Sequence, residues 1–432
     1  MLAHVRDLAA DAGRQIADRE LTNGERLEHA EPLGIGQRAA HSGITLPFGL
    51  GRHRYERHNS NDLIDCANTQ VTTSTVPLAA PFQPAILRPM DHIVGLDRIV
   101  AAREHLAGKV HRTPILTSST AARSLAIGGG ARVADDRIHV KAEHLQKTGS
   151  FKPRATVSRL AALTADERDR GVVTTSAGNA GQAYAYAGRE VGVPVTVVMP
   201  AHAVRSKVDA CRSYGAEVVL HGTHVGEAFA EMHRLRDARS LTVVHPFDDP
   251  NVIAGNASVG LEILEDLPDV DVVVVAIGGG GLISGVATAI KETRPTVRVY
   301  GVEPEGSNAM SRALEAGSIV RIDPHSVADG LGAPFVGEWT LAAARRYLDG
   351  VVVIDDPTIL GGLRFALERL KQVLEPAGAA ALAAVLFGKV EVRDGERVCV
   401  VASGGNVDTA RLGELLGQAA QPPGAPKTAA AR

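Results

Sequence analysis

The sequence predicts an α/β protein built on two open, mostly parallel sheets flanked by helices, and three observations carry that prediction. Short β-branched runs alternate with Ala-rich or amphipathic segments of helical length, the pattern of parallel strands joined by crossover helices. A compact βαβ set, from GVVTTSA to LTVVHPF, lies inside a longer series and calls for a second, smaller sheet. Finally, 432 residues, 45% hydrophobic and 22% charged, describe a globular chain with room for two or three domains.

Taken in order, residues 1–89 scatter Arg, His, Gly and Asn without a sustained period and read as a weakly ordered extension. Its start, MLAHVRDLAADAG, contains acidic residues and no apolar core, unlike a secretory signal. An extended Ser/Thr/Pro stretch leads to Met90, read as the start of the folded chain, where MDHIVGLDRIVAAREHL opens an amphipathic helical pattern. The strand runs that follow are IHVKAEHL, GVVTTSA, VPVTVVMP, AEVVLHG, LTVVHPF, VDVVVVAIGGG, VRVYGVEP and RVCVVASGG. They divide the chain into a large domain, 90–170 with 248–415, and a small domain, 171–247. Residues 416–432, rich in Ala, Pro and Gly, read as a frayed tail.

Composition excludes several functions. Cys66, Cys211 and Cys399 are widely separated and form no CxxC or Cys/His cluster, which argues against a disulfide scaffold or a zinc site and for a reducing compartment, the cytoplasm. With 46 basic against 49 acidic side chains and 3% aromatics, the chain offers nucleic acid little to hold. No apolar run approaches the roughly 20 residues that cross a bilayer, so no membrane contact is expected.

Four segments could carry chemistry. The strand DVVVVAI runs into Gly278, Gly279, Gly280 and Gly281 and then into the helical LISGVATAIKE. Backbone N–H groups and a helix N-terminus converge there on an anion, and the alternative is a plain tight turn. Neither GK[ST] nor G-x-G-x-x-G fits the loop, which disfavours a nucleotide and leaves a smaller phosphorylated ligand. Lys152, between Phe151 and Pro153, is placed to be desolvated, as a Schiff-base lysine requires. The local pattern does not separate it from Lys141 and Lys147. TTSAGN leaves a strand and enters a helix, a turn that suits a carboxylate or simply caps the helix. Ser403 stands at the carboxyl end of another strand, where ligands of open α/β sheets gather.

The order of these motifs, KTGSFK, SAGN, GGGGL, VEPEG, EPAGAA and SGGN, resembles the fold-type II pyridoxal-phosphate enzymes (tryptophan synthase β-like), closely the threonine/serine dehydratase (threonine ammonia-lyase) and serine racemase branch. The resemblance spans about residues 90 to 415. It implies that Lys152 carries the cofactor as a Schiff base and removes the substrate Cα proton. Gly278, Gly279, Gly280, Gly281 and Leu282 would bind the phosphate, Ser403 the pyridine nitrogen, and Asn179 the ring hydroxyl, with Phe151 and Gly330 flanking the ring. Ser176, Ala177, Gly178 and Asn179 would hold the substrate carboxylate. The implied activity is conversion of L-threonine and/or L-serine to 2-oxobutyrate or pyruvate plus ammonia, in a homodimer. A dehydratase of 3-hydroxyaspartate or a related amino acid, a serine racemase and a ligand-binding pseudoenzyme are the alternatives.

Four departures matter. Ala177 stands where racemases of the branch carry a second serine, which removes the second acid and favours dehydration. Ala180 replaces a usual His, and Arg154-Ala155-Thr156 replaces Arg-Gly-Ala, losing one close-packed glycine. Glu303 matches a metal ligand of metal-activated relatives, but its Asp partner's position is Ala309. Divalent activation is weakened and a monovalent cation remains open. The chain after Asp408 is too short for the C-terminal regulatory domain of biosynthetic threonine deaminases, so isoleucine feedback is not expected.

Overall fold

The structure, a computed structural model, describes residues 94–176, 178–203 and 205–423. The extension at 1–89, Met90, Ala177 and the tail from 424 onward lie outside the described residues.

Ten strands are described: β1 (Ile115–Ser118), β2 (Ile138–Lys141), β3 (Val172–Thr175), β4 (Val195–Met199), β5 (Glu217–Leu220), β6 (Thr242–Val243), β7 (Val272–Ala276), β8 (Arg298–Pro304), β9 (Gly350–Ile354) and β10 (Val398–Val401). They form a six-stranded sheet in the order β1-β2-β10-β7-β8-β9 and a four-stranded sheet in the order β5-β4-β3-β6. Only the β1–β2 pair is antiparallel, with Leu116 opposite Val140.

β7, at the centre of the large sheet, shows why the pattern forces two covered faces. All five residues of VVVVA are buried, as a parallel strand between helical layers requires. Successive side chains point to opposite faces, so Val272, Val274 and Ala276 join the cluster of the helix Pro376–Leu386, while Val273 and Val275 join that of the helices Pro250–Asp266 and Gly281–Thr293. In the small sheet, Val172 and Val173 divide in the same way between two clusters.

β1 and β9 lie outside the predicted strand set. Both are short edge strands with half-buried residues, so neither shows the continuous apolar run of an interior strand. Val157, Leu160 and Leu163, expected with the large domain, instead join the core cluster of the small sheet. The close approach expected to be lost at Ala155 is supplied from the opposing helix, where a Cβ on Gly255 would collide with the Arg154 carbonyl. Of the expected tail, residues through Gly417 complete the helix Thr409–Gly417, and the Ser124 hydroxyl donates to the Pro423 carbonyl.

Two consecutive aspartates orient the helices around the site. Asp249 accepts from the amides of Asn251 (2.7 Å) and Val252, capping its own helix with Pro250 in the first turn. Asp248 accepts from the amides of Glu338, Trp339 (3.0 Å) and Thr340, capping the helix Glu338–Tyr347.

Candidate active site

Carboxyl ends of strands from both sheets meet at one cavity of about 480 Å³, lined by the glycine loop, Lys152, Phe151, the Ser176–Asn179 turn, Gly330 and Ser403. β3 delivers Ser176, β7 the glycine loop and β10 Ser403, as expected for open α/β sheets. Of the predicted site residues, Ala177 alone cannot be placed, and Glu303 alone lies elsewhere.

Lys152 opens the helix Lys152–Ala161. The segment before it is fastened to the end of β10: Ser150 bridges Gly404, and the Phe151 amide donates to the Ser403 carbonyl at 3.1 Å. Its amine lies 4.8 Å from the Phe151 ring centre and donates to the Pro246 carbonyl at 3.5 Å. Burial pushes that amine down to about 8, against the opposing pull of Glu375. The Pro246 carbonyl is steadied in turn by His245. Its Nδ1 accepts from the amides of Phe247 and Asp248 (2.8 Å), and burial pushes the imidazole down to about 4, keeping it a neutral acceptor.

The rival lysines separate on depth. Lys141 is fully buried and paired to Glu262 at 2.7 Å, and Lys147 sits on a turn away from the cavity. Lys141 belongs to a buried charge cluster two residues on from Lys152. There, Arg154 forks onto Glu143 (2.8 Å) and Glu262 (2.7 and 2.8 Å). Burial disfavours these charges, but the mutual pairing wins, holding Glu143 below the usual carboxylate range and Arg154 above the usual guanidinium range.

The glycine loop is an open cradle of donors. The amides of Gly278 to Leu282 have no acceptor among the described residues, and the helix Gly281–Thr293 has no side-chain cap. Gly280 has a φ of 91°, and a Cβ on Gly279 would strike the Phe247 ring. Side chains are excluded, which exposes the backbone N–H groups to an anion at a helix N-terminus. Ser403, 5% exposed, has a hydroxyl without a partner among the described residues.

Glu375, absent from the predicted set, faces the same cavity at 5% exposure. Its Oε1 accepts from Asn179 Nδ2 at 2.6 Å, and its own amide donates to the Gly404 carbonyl. Burial pushes its carboxyl up to about 7, although the Asn179 hydrogen bond opposes the shift. Asn406 Nδ2 donates to Asn179 Oδ1 at 2.9 Å, so both ends of the Asn179 amide are held. The signal for Glu375 lay in EPAGAA, a glutamate directly before a helix-opening proline, but its partner Asn179 is 196 residues away.

Glu303 lies apart from the cavity and is engaged otherwise. It is fully buried, Oε1 accepts from the Met310 amide, and Oε2 accepts from the amide and hydroxyl of Ser311 (2.9 and 2.7 Å). The carboxylate therefore caps the helix Ala309–Ala316, and among the described residues no group of three or more His, Cys, Asp or Glu is placed to hold a metal. No helix among them is long and apolar enough to cross a membrane.

Comparison with known proteins bears on this cavity. The family model described as pyridoxal-phosphate dependent enzyme matches residues 107–404. An L-threonine ammonia-lyase of Thermotoga maritima is 41% identical over 325 residues, 75% of this chain and 78% of the relative. Among solved structures, a maize serine racemase matches with a TM-score of 0.69 at 33% identity, covering 75% of this chain and 97% of that one. A threonine deaminase isoform of Solanum lycopersicum, in its processed form, matches with a TM-score of 0.69 at 30% identity, covering 79% and 99%.

Proposed function

Because the chain belongs to the pyridoxal-phosphate dependent enzymes, we propose that it is an ammonia-lyase converting L-threonine, and L-serine as the smaller substrate, to 2-oxobutyrate or pyruvate plus ammonia. The observation that carries the reading is one lysine, desolvated to a pKa of about 8, opposite a cradle of free amides and an unpartnered buried serine hydroxyl.

The residues fit the cofactor at each of its functional groups. The amides of Gly278 to Leu282 suit a phosphate. The Ser403 hydroxyl suits the ring nitrogen, Asn179 the ring hydroxyl, and Phe151 and Gly330 the two faces of the ring. Bound pyridoxal phosphate supplies an electron sink that acidifies the amino acid's Cα–H.

Lys152 would hold the cofactor through its amine, and the same amine is the base that would take the Cα proton. A pKa near 8 leaves part of its population neutral and able to accept that proton at physiological pH. The Ser176–Asn179 turn orients the substrate by its carboxylate, and Glu375 and Asn406 fix the Asn179 amide. The Ser403 hydroxyl, not an acid, would face the ring nitrogen, which would leave that sink weaker and favour loss of the β-hydroxyl over transfer of the amino group. Loss of water leaves an enamine that tautomerises and is hydrolysed to the 2-oxoacid and ammonia. Ala177 brings no hydroxyl to the turn, which disfavours racemisation.

The reading includes the cytoplasm, where the buried free thiols Cys211 and Cys399 stay reduced. It also includes a homodimer. The test is release of 2-oxoacid and ammonia from L-threonine, L-serine, their D-forms and L-threo-3-hydroxyaspartate, with and without EDTA. Turnover of L-threonine or L-serine that EDTA leaves unchanged is expected. Turnover of the 3-hydroxyaspartate alone, or interconversion of L- and D-serine without ammonia, would replace the reading.

A further inference from the structure

We infer that Lys207 is a positioning residue that latches the small-sheet half of the cavity onto its large-sheet half through Asp329. The inference rests on the proposed reading of the cavity, and four observations carry it.

The two halves of the site belong to different sheets. The Ser176–Asn179 turn follows β3 of the small sheet, whereas the glycine loop follows β7 of the large one. Lys207, on the helix Arg205–Ser213 that follows β4, lines the cavity, and its Nζ donates to Asp329 Oδ2 at 3.3 Å, where Asp329 lines it from the other side. The other oxygen, Asp329 Oδ1, accepts from the Gly330 amide at 3.0 Å. Gly330 and Leu331 in turn abut the cradle: a Cβ on Gly278 would lie 3.3 Å from the Gly330 carbonyl oxygen and 3.2 Å from Leu331 Cα. A displacement of the small-sheet helix is thereby transmitted to a wall of the cofactor cavity.

The pair is built to open. The side chains of Lys207 and Asp329 are 22% and 45% exposed, so the attraction is screened by water and weak. Lysine also brings a compact charge on a flexible stem and not the rigid fork with which arginine fixes a geometry. Arg411 lies 3.6 Å from the same Asp329 oxygen, so the carboxylate keeps a partner when Lys207 leaves. The third charge nearby, Glu375, is held by Asn179. Lys207 is thus the member free to detach as an amino acid enters and to re-form its pair over the bound substrate.

The test compares holoenzyme carrying Lys207→Met with the parent. KM for L-threonine is expected to rise about two- to fivefold, the range of one exposed ion pair, while kcat and the bound cofactor's absorbance change little. Raising salt should lift KM of the parent but not of K207M. In an Asp329→Ala background, K207M should add nothing. A K207M penalty that persists in full on D329A would make Lys207 a direct substrate contact and overturn the latch, as would loss of the cofactor absorbance in K207M. Hydrogen exchange in the helix Arg205–Ser213 of the cofactor-loaded protein, expected to quicken in K207M, reads the latch without turnover. It keeps the inference testable if the parent proves inactive on hydroxy amino acids, and unchanged exchange would overturn it.

Discussion

Two groups of charged side chains, linked by Lys152 and Arg154 on one helix, behave in opposite ways. Arg154, Glu143, Glu262 and Lys141 are deeply buried, and each charge faces a partner within 2.8 Å. Lys152, two residues earlier, and Glu375 face a cavity with one weak or neutral partner apiece. In the first group, pairing outweighs burial at Glu143 and Arg154 and fixes their charged forms. In the second, burial outweighs pairing and drives both groups toward neutrality near physiological pH, where protons can move. Complete pairing makes a structural element, and incomplete pairing of desolvated groups at a cavity makes a reactive one.

Four substitutions test this contrast. The largest effect on activity falls on the reactive side: Lys152→Ala should lower turnover on the order of 10³-fold and abolish the visible absorbance with added pyridoxal phosphate, while circular dichroism stays that of the parent. The mirror experiment is Arg154→Met, which strands the buried Glu143 and leaves Glu262 to Lys141 alone, and should cost about 3–5 kcal/mol in urea unfolding. Intact stability in R154M would erase the distinction between the clusters.

The third concerns sign. Glu375 titrates at about 7 in the folded protein against 4.5 ordinarily. The folded state therefore holds the proton more tightly, and the cost of ionising it enters as pH rises from 4.5 through 7. Glu375→Gln keeps an acceptor for Asn179 but removes that cost. In cofactor-free protein its melting midpoint should exceed the parent's at about pH 8 and match it at about pH 4, with kcat reduced at both neutral and alkaline pH. The smallest effect is expected at Glu303→Gln, which weakens a buried helix cap by about 1 kcal/mol and leaves turnover insensitive to EDTA.

How much of this was legible in the sequence depended on how local the signal is. The glycine loop, the Ser403 turn and the Lys152 segment each announce themselves within a few residues, because strand, turn and helix start are consecutive. Choosing Lys152 over Lys141 needed depth, since both follow apolar residues and only packing shows Lys141 paired to Glu262. Glu375 escaped because its meaning comes from Asn179. Glu303 was read by its position in a motif, and the donors that occupy it, Met310 and Ser311, become visible only once the helix Ala309–Ala316 is seen to start beneath it. β1 and β9 were missed because an edge strand has only one neighbour to satisfy and little apolar pattern to show.

The fastening of Ser150 to Gly404 and of Phe151 to Ser403 has one more consequence. The spacing between the Lys152 and Ser403 side chains is gauged by main-chain atoms common to every residue type, like two pegs on a single jig. Side chains around the cavity can therefore drift and reshape what is admitted without moving the pegs. Substrate preference is free to change while the chemistry stays in register.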